Sequence, residues 1–410
     1  MSAVLQLLLG GSSDPTASGT NPETLTTLGT IATGGYSWRQ AMIAGEAITY
    51  KSGLHRVVTA ARNLRVAWGR GEGSVSRVYP DIRVGLEVHG IVYPVHWAGN
   101  RRLTTSPDMQ HAISDPVPVQ VEPGDTIYVR SAWPAGSQVG FYSASDLHTS
   151  GNAGGDLSGG GTLAHAGGSP VCPLGIYGDT DPTKDRGVLI LGDSFIQQGW
   201  ARGAVNAHGY AWSDLGVWLE VIPRDRAQLA NRLPGSGAWP YRAALAFHSG
   251  NDSASPTETQ QALHIAAWRM YRDAGVSRVF GITIHPYSTS TDRWTSVAGQ
   301  TTRLPPDRNI HPFNVWVRDG APLDPTTFTP VPVGGVGVRF GEPGHPAQGF
   351  FDCHAATAVD PHSASVWRVG DGTSTTGTAW TNDGAHLTGH GSDMLQQAFS
   401  AWLETNDLTT

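Results

Sequence analysis

The sequence predicts an α/β domain with a mainly parallel sheet, preceded by an antiparallel β-rich domain. Up to about residue 180, short segments rich in Val, Ile and aromatic residues partly alternate with polar residues, as half-buried strands do. From about residue 185, continuous apolar strands alternate with helical segments, which is typical of a parallel sheet. A chain of 410 residues is also long enough to form two domains.

The β-rich domain is predicted to span residues 1–180. Its strand-like segments are residues 62–70, 81–90, 92–99, 117–123 and 125–133. Short strands at this spacing predict an antiparallel sandwich or jelly roll, a class of module that often binds glycans. The stretch 150–168 is dominated by Gly, Ser and Ala, and it is interpreted as a loop or linker.

The α/β domain is predicted to span residues 181–410. The predicted parallel strands are RGVLILG (186–192), RAALAFHSG (242–250) and SRVFGITIH (277–285), and the predicted helices cover 223–233, 257–275 and 391–404. The loop-rich segment 286–380 is too long for a plain connection. We therefore expect an ordered insertion that builds part of a site.

Composition limits the classes of protein to consider. The net charge is −7 with the two signs interspersed, so no basic patch predicts a nucleic-acid partner. No apolar run is long enough to span a membrane, and MSAVLQLLLGGSSD lacks the basic start and cleavage site of a signal peptide. A virion or tail component, or a protein released from the cell, fits this pattern. Cys172 and Cys353 could form a disulfide or remain free thiols.

Polar residues with catalytic chemistry follow the predicted strands, at the edge where parallel sheets keep their sites. Ser194 follows the first strand and Asn251 the second, while Asp383 and His386 lie just before the last helix. Acyl transfer needs a nucleophile, a base, a group that orients the base and oxyanion donors. Ser194, His386 and Asp383 can fill the first three roles in that order. The Asn251 amide and the Ser194 N–H can serve as donors.

These motifs resemble a known family. The ordered set Gly-Asp-Ser at 192–194, Gly-Asn-Asp at 250–252 and Asp-x-x-His at 383–386 is similar to the SGNH hydrolases, also called the GDSL family. The resemblance covers about 187–403, although the family usually has Gly-x-Asn-Asp. It implies a flavodoxin-like three-layer α/β/α fold and a serine esterase, lipase or carbohydrate deacetylase that needs no cofactor and no metal.

The resemblance also implies a glycine whose N–H joins the oxyanion hole. Gly209 is preferred, because it lies between strand-like AVNA and a helix-like stretch. Gly237 is the alternative, although it lies close to the next predicted strand. His285 and Trp316 are candidates for lining the pocket. The alternative for His285 is a structural or surface role, and the alternative for Trp316 is packing onto the core.

Other interpretations of the motifs fit less well. Each motif alone is common in turns and caps, so only the ordered set is informative. Ile196 stands where the α/β-hydrolase elbow Gly-x-Ser-x-Gly would need its second Gly. A two-metal phosphoesterase would need a His directly after Asn251, and Asp252 stands there instead.

The sequence therefore predicts a serine esterase that removes acyl groups, with an acetylated glycan as the expected substrate. Two alternatives stay open at this point. One is a lipase or esterase acting on lipid or aryl esters. The other is a carbohydrate- or surface-binding protein whose α/β domain is an inactive scaffold.

Overall fold

A computed structural model describes most of the chain. The described residues are 27–32, 39–42, 48–69, 81–104, 111–135, 138–141, 150–163, 173, 175–216, 221–223, 226, 239–248, 250–303, 309–363 and 365–410. Cys172 and Gly237 lie outside them, as does nearly all of the helix predicted over 223–233. Cys353 is buried and free.

The first part of the chain forms antiparallel strands. They are β1 (Thr27–Thr30), β2 (Arg39–Met42), β3 (Ile48–Arg56), β4 (Ala61–Gly69), β5 (Arg83–Val88), β6 (Ile91–Pro94), β7 (His111–Ile113), β8 (Val117–Val121), β9 (Thr126–Trp133), β10 (Gln138–Phe141), β11 (Ser150–Gly154) and β12 (Gly175–Thr180). One sheet has the order β1-β12-β4-β7, with β8 also paired to β4, and another has the order β11-β3-β9-β5-β6. The stretch 150–168 is thus not all loop, because β11 lies in it.

Alternation along these strands explains why the two sheets share a core. Leu64 and Val66 of β4 and Leu86 of β5 are fully buried, and they belong to one apolar cluster with residues of β9 and β12. Side chains two apart on a strand point to the same face, so each sheet turns one apolar face to the other. The boundary predicted at residue 180 falls between β12 and the first parallel strand.

The second part of the chain forms an α/β unit. Its elements are strands β13 (Gly187–Gly192), β14 (Ala211–Asp214), β15 (Ala243–Phe247), β16 (Arg278–Ile282), β17 (Ser288–Ser290), β18 (Gln300–Thr302) and β19 (Gly349–Phe351), and helices α1 (Ser194–Gln197), α2 (Trp200–Ala207), α3 (Thr257–Asp273), α4 (Ile310–Arg318), α5 (Cys353–Thr357) and α6 (Gly389–Leu403). The main sheet is parallel, with the order β14-β13-β15-β16-β19. This is the strand order 2-1-3-4-5 of flavodoxin-like sheets.

Helices cover both faces of this sheet. Leu189 and Leu191 of β13 pack in one buried cluster with residues of α3 and α4. Val188 and Ile190, which point the other way, pack in a second cluster with residues of α2 and α6. Burial on both faces is why RGVLILG is continuously apolar rather than alternating. No helix among the described residues is both long and apolar enough to cross a membrane.

The segment 286–380 differs from the predicted insertion. Part of it, α4 followed by β19, is a regular crossover that adds the fifth strand to the sheet beside β16. The sequence does not reveal β19 because Gly349–Phe351 is only three residues long and is surrounded by Gly and Pro. The remainder contains loops, the β17–β18 hairpin and the short helix α5.

We expect acid to destabilise this fold through buried histidines. His264 on α3 is 2% exposed and lies against the rings of Phe313 and Trp268. Burial, helped by nearby His248, lowers the pKa of His264 to about 3. The unfolded chain takes up this proton near pH 6.5 and the folded chain does not, so stability is lost as the pH falls below that value.

Substituting His264→Phe should therefore flatten the loss of unfolding free energy between pH 6 and pH 4, by up to ~1.4 kcal/mol per pH unit. Denaturant unfolding at a series of pH values measures this slope. The exposed His362, changed to Gln, is the control and should keep the original slope. An unchanged slope in His264→Phe would show that this ring is protonated in the folded protein.

Candidate active site

Ser194 lies at the carboxyl end of the central strand β13. The strand ends at Gly192, where a Cβ would lie 2.6 Å from the Phe247 carbonyl oxygen and 2.5 Å from the Ile196 side chain. Only glycine allows this close approach between β13, the neighbouring strand β15 and the turn into α1. The chain then turns sharply, and Ser194 begins α1.

Asp193 connects this turn to the end of the neighbouring strand. Its carboxylate is 2% exposed and accepts two backbone hydrogen bonds. The Phe195 N–H donates to Oδ1 (3.0 Å), and the Gly250 N–H donates to Oδ2 (2.8 Å). Asn251, the next residue after Gly250, begins a 3₁₀ turn over Asn251–Ala254. The loops that carry Ser194 and Asn251 are therefore held together by one buried side chain.

His386 and Asp383 reach the same edge from the loop before α6. The distance from Ser194 Oγ to His386 Nε2 is 2.7 Å, and His386 Nδ1 lies 2.7 Å from Asp383 Oδ2. An ionised carboxylate can only accept, so Nδ1 of His386 carries the proton that it donates to Asp383. Nε2 is then free of hydrogen and accepts the hydrogen bond of the Ser194 hydroxyl. The three side chains form one hydrogen-bonded chain.

The electrostatics of this chain suit proton transfer. Burial opposes ionisation of Asp383, but hydrogen bonds from the His386 ring and from the N–H groups of His386 and Ala385 hold its pKa well below the usual range. The bond to Asp383 raises the pKa of His386 above its ordinary value, against the effect of partial burial, and the charge of Asp193 raises it further. The imidazole is therefore a stronger base than a free histidine.

The His386 loop is also held from its outer side. The Ser288 N–H at the start of β17 and the Trp367 indole N–H both donate to the Gly384 carbonyl, at 3.2 Å and 3.1 Å. Gly384 has φ +80°, and a Cβ there would lie 1.8 Å from the Ser288 carbonyl oxygen. Glycine is thus required between Asp383 and Ala385.

The prediction for Gly209 is wrong. Its N–H donates to the Asn206 carbonyl (3.1 Å) in the turn that ends α2, where its φ of +68° is typical of a helix C-terminus. It precedes β14, whose first residue is level with the first residue of β13, so it lies at the opposite edge of the sheet. At 3.3 Å rise per residue, the length of β13 alone separates the two edges by roughly 16 Å.

Gly216 is the glycine that sequence reasoning missed at this edge. It follows β14, and a Cβ there would lie 3.3 Å from the Gln197 backbone nitrogen of α1. Its N–H donates to Asp214 Oδ1 (3.0 Å), a carboxylate that is also paired with Arg202. The available signal was that β14, like β13, has an Asp and a Gly close together at its end, in Asp214-Leu215-Gly216.

The predictions that His285 and Trp316 line the pocket are also wrong, because both side chains are 0% exposed. The His285 ring stacks on Phe195 with ring centroids 4.0 Å apart, and so packs beneath the Ser194 turn. The Trp316 ring stacks on Trp268 in the core between α3 and α4. Strand-end position identified His285 as a neighbour of the site but did not reveal the aromatic layer that covers it.

Among the described residues, no group of three or more His, Cys, Asp and Glu side chains could hold a metal ion.

Comparison with protein-family models gives no match, and comparison with curated protein sequences gives none either. Several solved structures are similar to this chain. A Bacteroides fragilis protein assigned as an acylhydrolase has 14% identity and a TM-score of 0.34, over 54% of this chain and 88% of its own. A Desulfitobacterium hafniense protein of the G-D-S-L family has 12% identity and a TM-score of 0.35, over 53% of this chain and 98% of its own. An acetyl-xylooligosaccharide esterase variant from Geobacillus has 11% identity and a TM-score of 0.32, over 52% of this chain and 92% of its own.

The raised pKa of His386 predicts its titration. We expect the imidazole protons of His386 to titrate in NMR with a midpoint above about 6.5, the ordinary value for histidine, because Asp383 stabilises the charged ring. Asp383→Asn should lower this midpoint. Any reaction that needs neutral His386 should lose rate as the pH falls through the midpoint.

Asp371→Asn is a matched control, because Asp371 also accepts backbone N–H bonds in an exposed turn, from Thr373 and Ser374. It should leave the His386 midpoint unchanged. A wild-type midpoint below 6.5, or equal midpoints in wild type and Asp383→Asn, would contradict the assignment of Asp383 as the partner of His386.

Proposed function

We propose that this protein is a serine ester hydrolase of the SGNH type. The observation that carries the proposal is the hydrogen-bonded chain Ser194–His386–Asp383 at the carboxyl edge of a parallel sheet. A hydroxyl held 2.7 Å from an imidazole that is itself hydrogen-bonded to a carboxylate is the arrangement that activates serine for attack. This arrangement favours a catalytic role over that of an inactive scaffold.

The proposed reaction has two steps. His386 Nε2 takes the proton of Ser194 as Oγ attacks the ester carbonyl, and then protonates the leaving alcohol, which leaves an acyl-enzyme. In the second step, His386 takes a proton from water, the hydroxide attacks the acyl carbon, and the carboxylic acid leaves as Ser194 regains its proton. Asp383 stabilises the imidazolium in both steps without taking the proton.

Oxyanion donors are proposed at the two loops that Asp193 holds together. The Ser194 N–H at the start of α1 is one donor, and the Asn251 side-chain amide at the end of β15 is the other. A donor of this kind is worth about 10²–10³ in kcat. The buried carboxylate of Asp193 holds the backbones of Phe195 and Gly250, the residues next to the two proposed donors, and this supports the assignment.

An acetylated carbohydrate is the proposed substrate class. Trp294 is half-buried, and its ring lies 3.1 Å from where a Cβ of Gly384, the residue after Asp383, would be. Its indole N–H donates to Ser288 Oγ (3.0 Å), which fixes the plane of the ring. Arg293 and Trp294 both have left-handed backbones, with φ +61° and +59°, and such strain persists where the surroundings enforce it. A fixed, partly exposed aromatic ring suits the apolar face of a sugar.

The catalytic proposal is tested on Ser194. Wild-type protein should be labelled by a fluorophosphonate probe and should hydrolyse a small aryl acetate, while Ser194→Ala should lose the labelling and ~10⁴-fold or more in kcat. Circular dichroism and thermal unfolding check that the variant is folded. Equal turnover by Ser194→Ala and wild type, with no labelling of either, would contradict the proposal.

The substrate proposal is tested on Trp294. Trp294→Ala should raise KM for an acetylated oligosaccharide about fivefold and leave kcat/KM for a small aryl acetate within about twofold, because loss of one ring stack costs ~1 kcal/mol. Trp294→Phe should restore part of the loss. Faster hydrolysis of long-chain aryl esters than of acetylated oligosaccharides by the wild type would favour the lipase alternative.

A further inference from the structure

The two hydrogen bonds of the triad have different structural origins. Asp383 and His386 are three residues apart, and Asp383 Oδ1 also accepts the N–H groups of Ala385 and His386, so this pair is built by its own loop. Ser194 and His386 are 192 residues apart in sequence. The distance between their side chains therefore depends on how the His386 loop is docked against α1.

Gln198 makes that docking contact. It is the residue that follows α1, four positions after Ser194. Its side-chain Nε2 donates to the Leu387 carbonyl (2.7 Å), and the Leu387 N–H donates to its Oε1 (2.9 Å). Both backbone groups of the residue next to His386 are thus bound by one planar amide, which fixes position and orientation together.

Other contacts of the loop lead away from α1. The Gly384 carbonyl is bound by Ser288 and Trp367, and the Thr388 N–H donates to the Trp380 carbonyl. These bonds hold the loop against the β17–β18 hairpin and against the segment that contains Trp367 and Trp380. The Gln198 bonds join the loop to the element that carries the nucleophile.

We propose that Gln198 is a positioning residue that sets the Ser194–His386 distance, separately from Asp383, which sets the protonation and orientation of the imidazole. The proposal rests on the esterase function proposed above. A displacement of about 1 Å between reacting groups can cost ~10²-fold in rate. Loss of the two Gln198–Leu387 hydrogen bonds, the clamp, should thus slow the chemical step and leave substrate binding nearly intact.

The test compares Gln198→Ala and Gln198→Glu with a matched control, Asn314→Ala. Asn314 is fully buried and makes the same two bonds to another backbone residue, with Nδ2 donating to the Ile284 carbonyl (2.8 Å) and the Ile284 N–H donating to Oδ1 (2.7 Å). Gln198→Glu keeps the shape and the acceptor for the Leu387 N–H but loses the donor. The readouts are kcat, KM, the rate of fluorophosphonate labelling, and the NMR titration of His386.

Gln198→Ala should lower kcat and the labelling rate ~100-fold with KM within about twofold. Gln198→Glu, which loses the donor, should also have a lower kcat than the wild type. The His386 midpoint in Gln198→Ala should stay at the wild-type value, because the carboxylates that act on the ring, Asp383 and Asp193, remain in place. Asn314→Ala should lose stability but keep kcat within about threefold.

Three results would overturn the proposal. They are an unchanged kcat in Gln198→Ala, an equal loss in Asn314→Ala, and a His386 midpoint that falls as far as in Asp383→Asn. If the wild type is neither labelled nor active, the esterase function fails instead, and Gln198 is judged by amide exchange. Faster exchange of the Leu387 N–H in Gln198→Ala, but not in Asn314→Ala, would then support the clamp, and unchanged exchange would reject it.

Discussion

The site depends on one buried carboxylate, that of Asp193. A charge taken out of water is costly unless it is paired, and here two backbone N–H donors satisfy it, each such bond to a charged group being worth about 1.5–3 kcal/mol. The donors belong to Phe195, after β13, and Gly250, after β15. The two strands are neighbours in the parallel sheet, so the carboxylate connects the loops that follow their carboxyl ends. Ser194 and Asn251 lie in these loops.

The remainder of the site is brought to this edge by contacts between distant segments. The His386 loop is clamped to the Ser194 side by Gln198 and is supported from the other side through Gly384. A hydrogen-bonded chain that is closed before substrate arrives loses little entropy on reaction, which is the physical basis of a preorganised site. The β17–β18 hairpin therefore has two roles here, since it supports the loop and also carries Trp294 beside Gly384.

Several features were predictable because they depend only on residues that are close together in the sequence. Burial on both faces makes β13 continuously apolar, and the position of Ser194 after such a strand places it at the edge where sites form. The spacing of Asp383 and His386 lets one loop hold both. The prediction for Gly209 failed because the residues AVNA have the composition of a strand but form the end of α2. The glycine that follows them therefore lies at the edge of the sheet opposite to Ser194.

The sequence by itself determined the alternation of strands and helices, the residues able to carry acyl-transfer chemistry, and their order along the chain. Those properties follow from periodicity and residue type, which are local. Only the tertiary structure decided that β19 completes the sheet, that His285 lies under an aromatic layer, and that Gln198 binds Leu387. These are contacts between segments far apart in the chain, and they depend on packing and strand register, for which no neighbouring residue carries a signal.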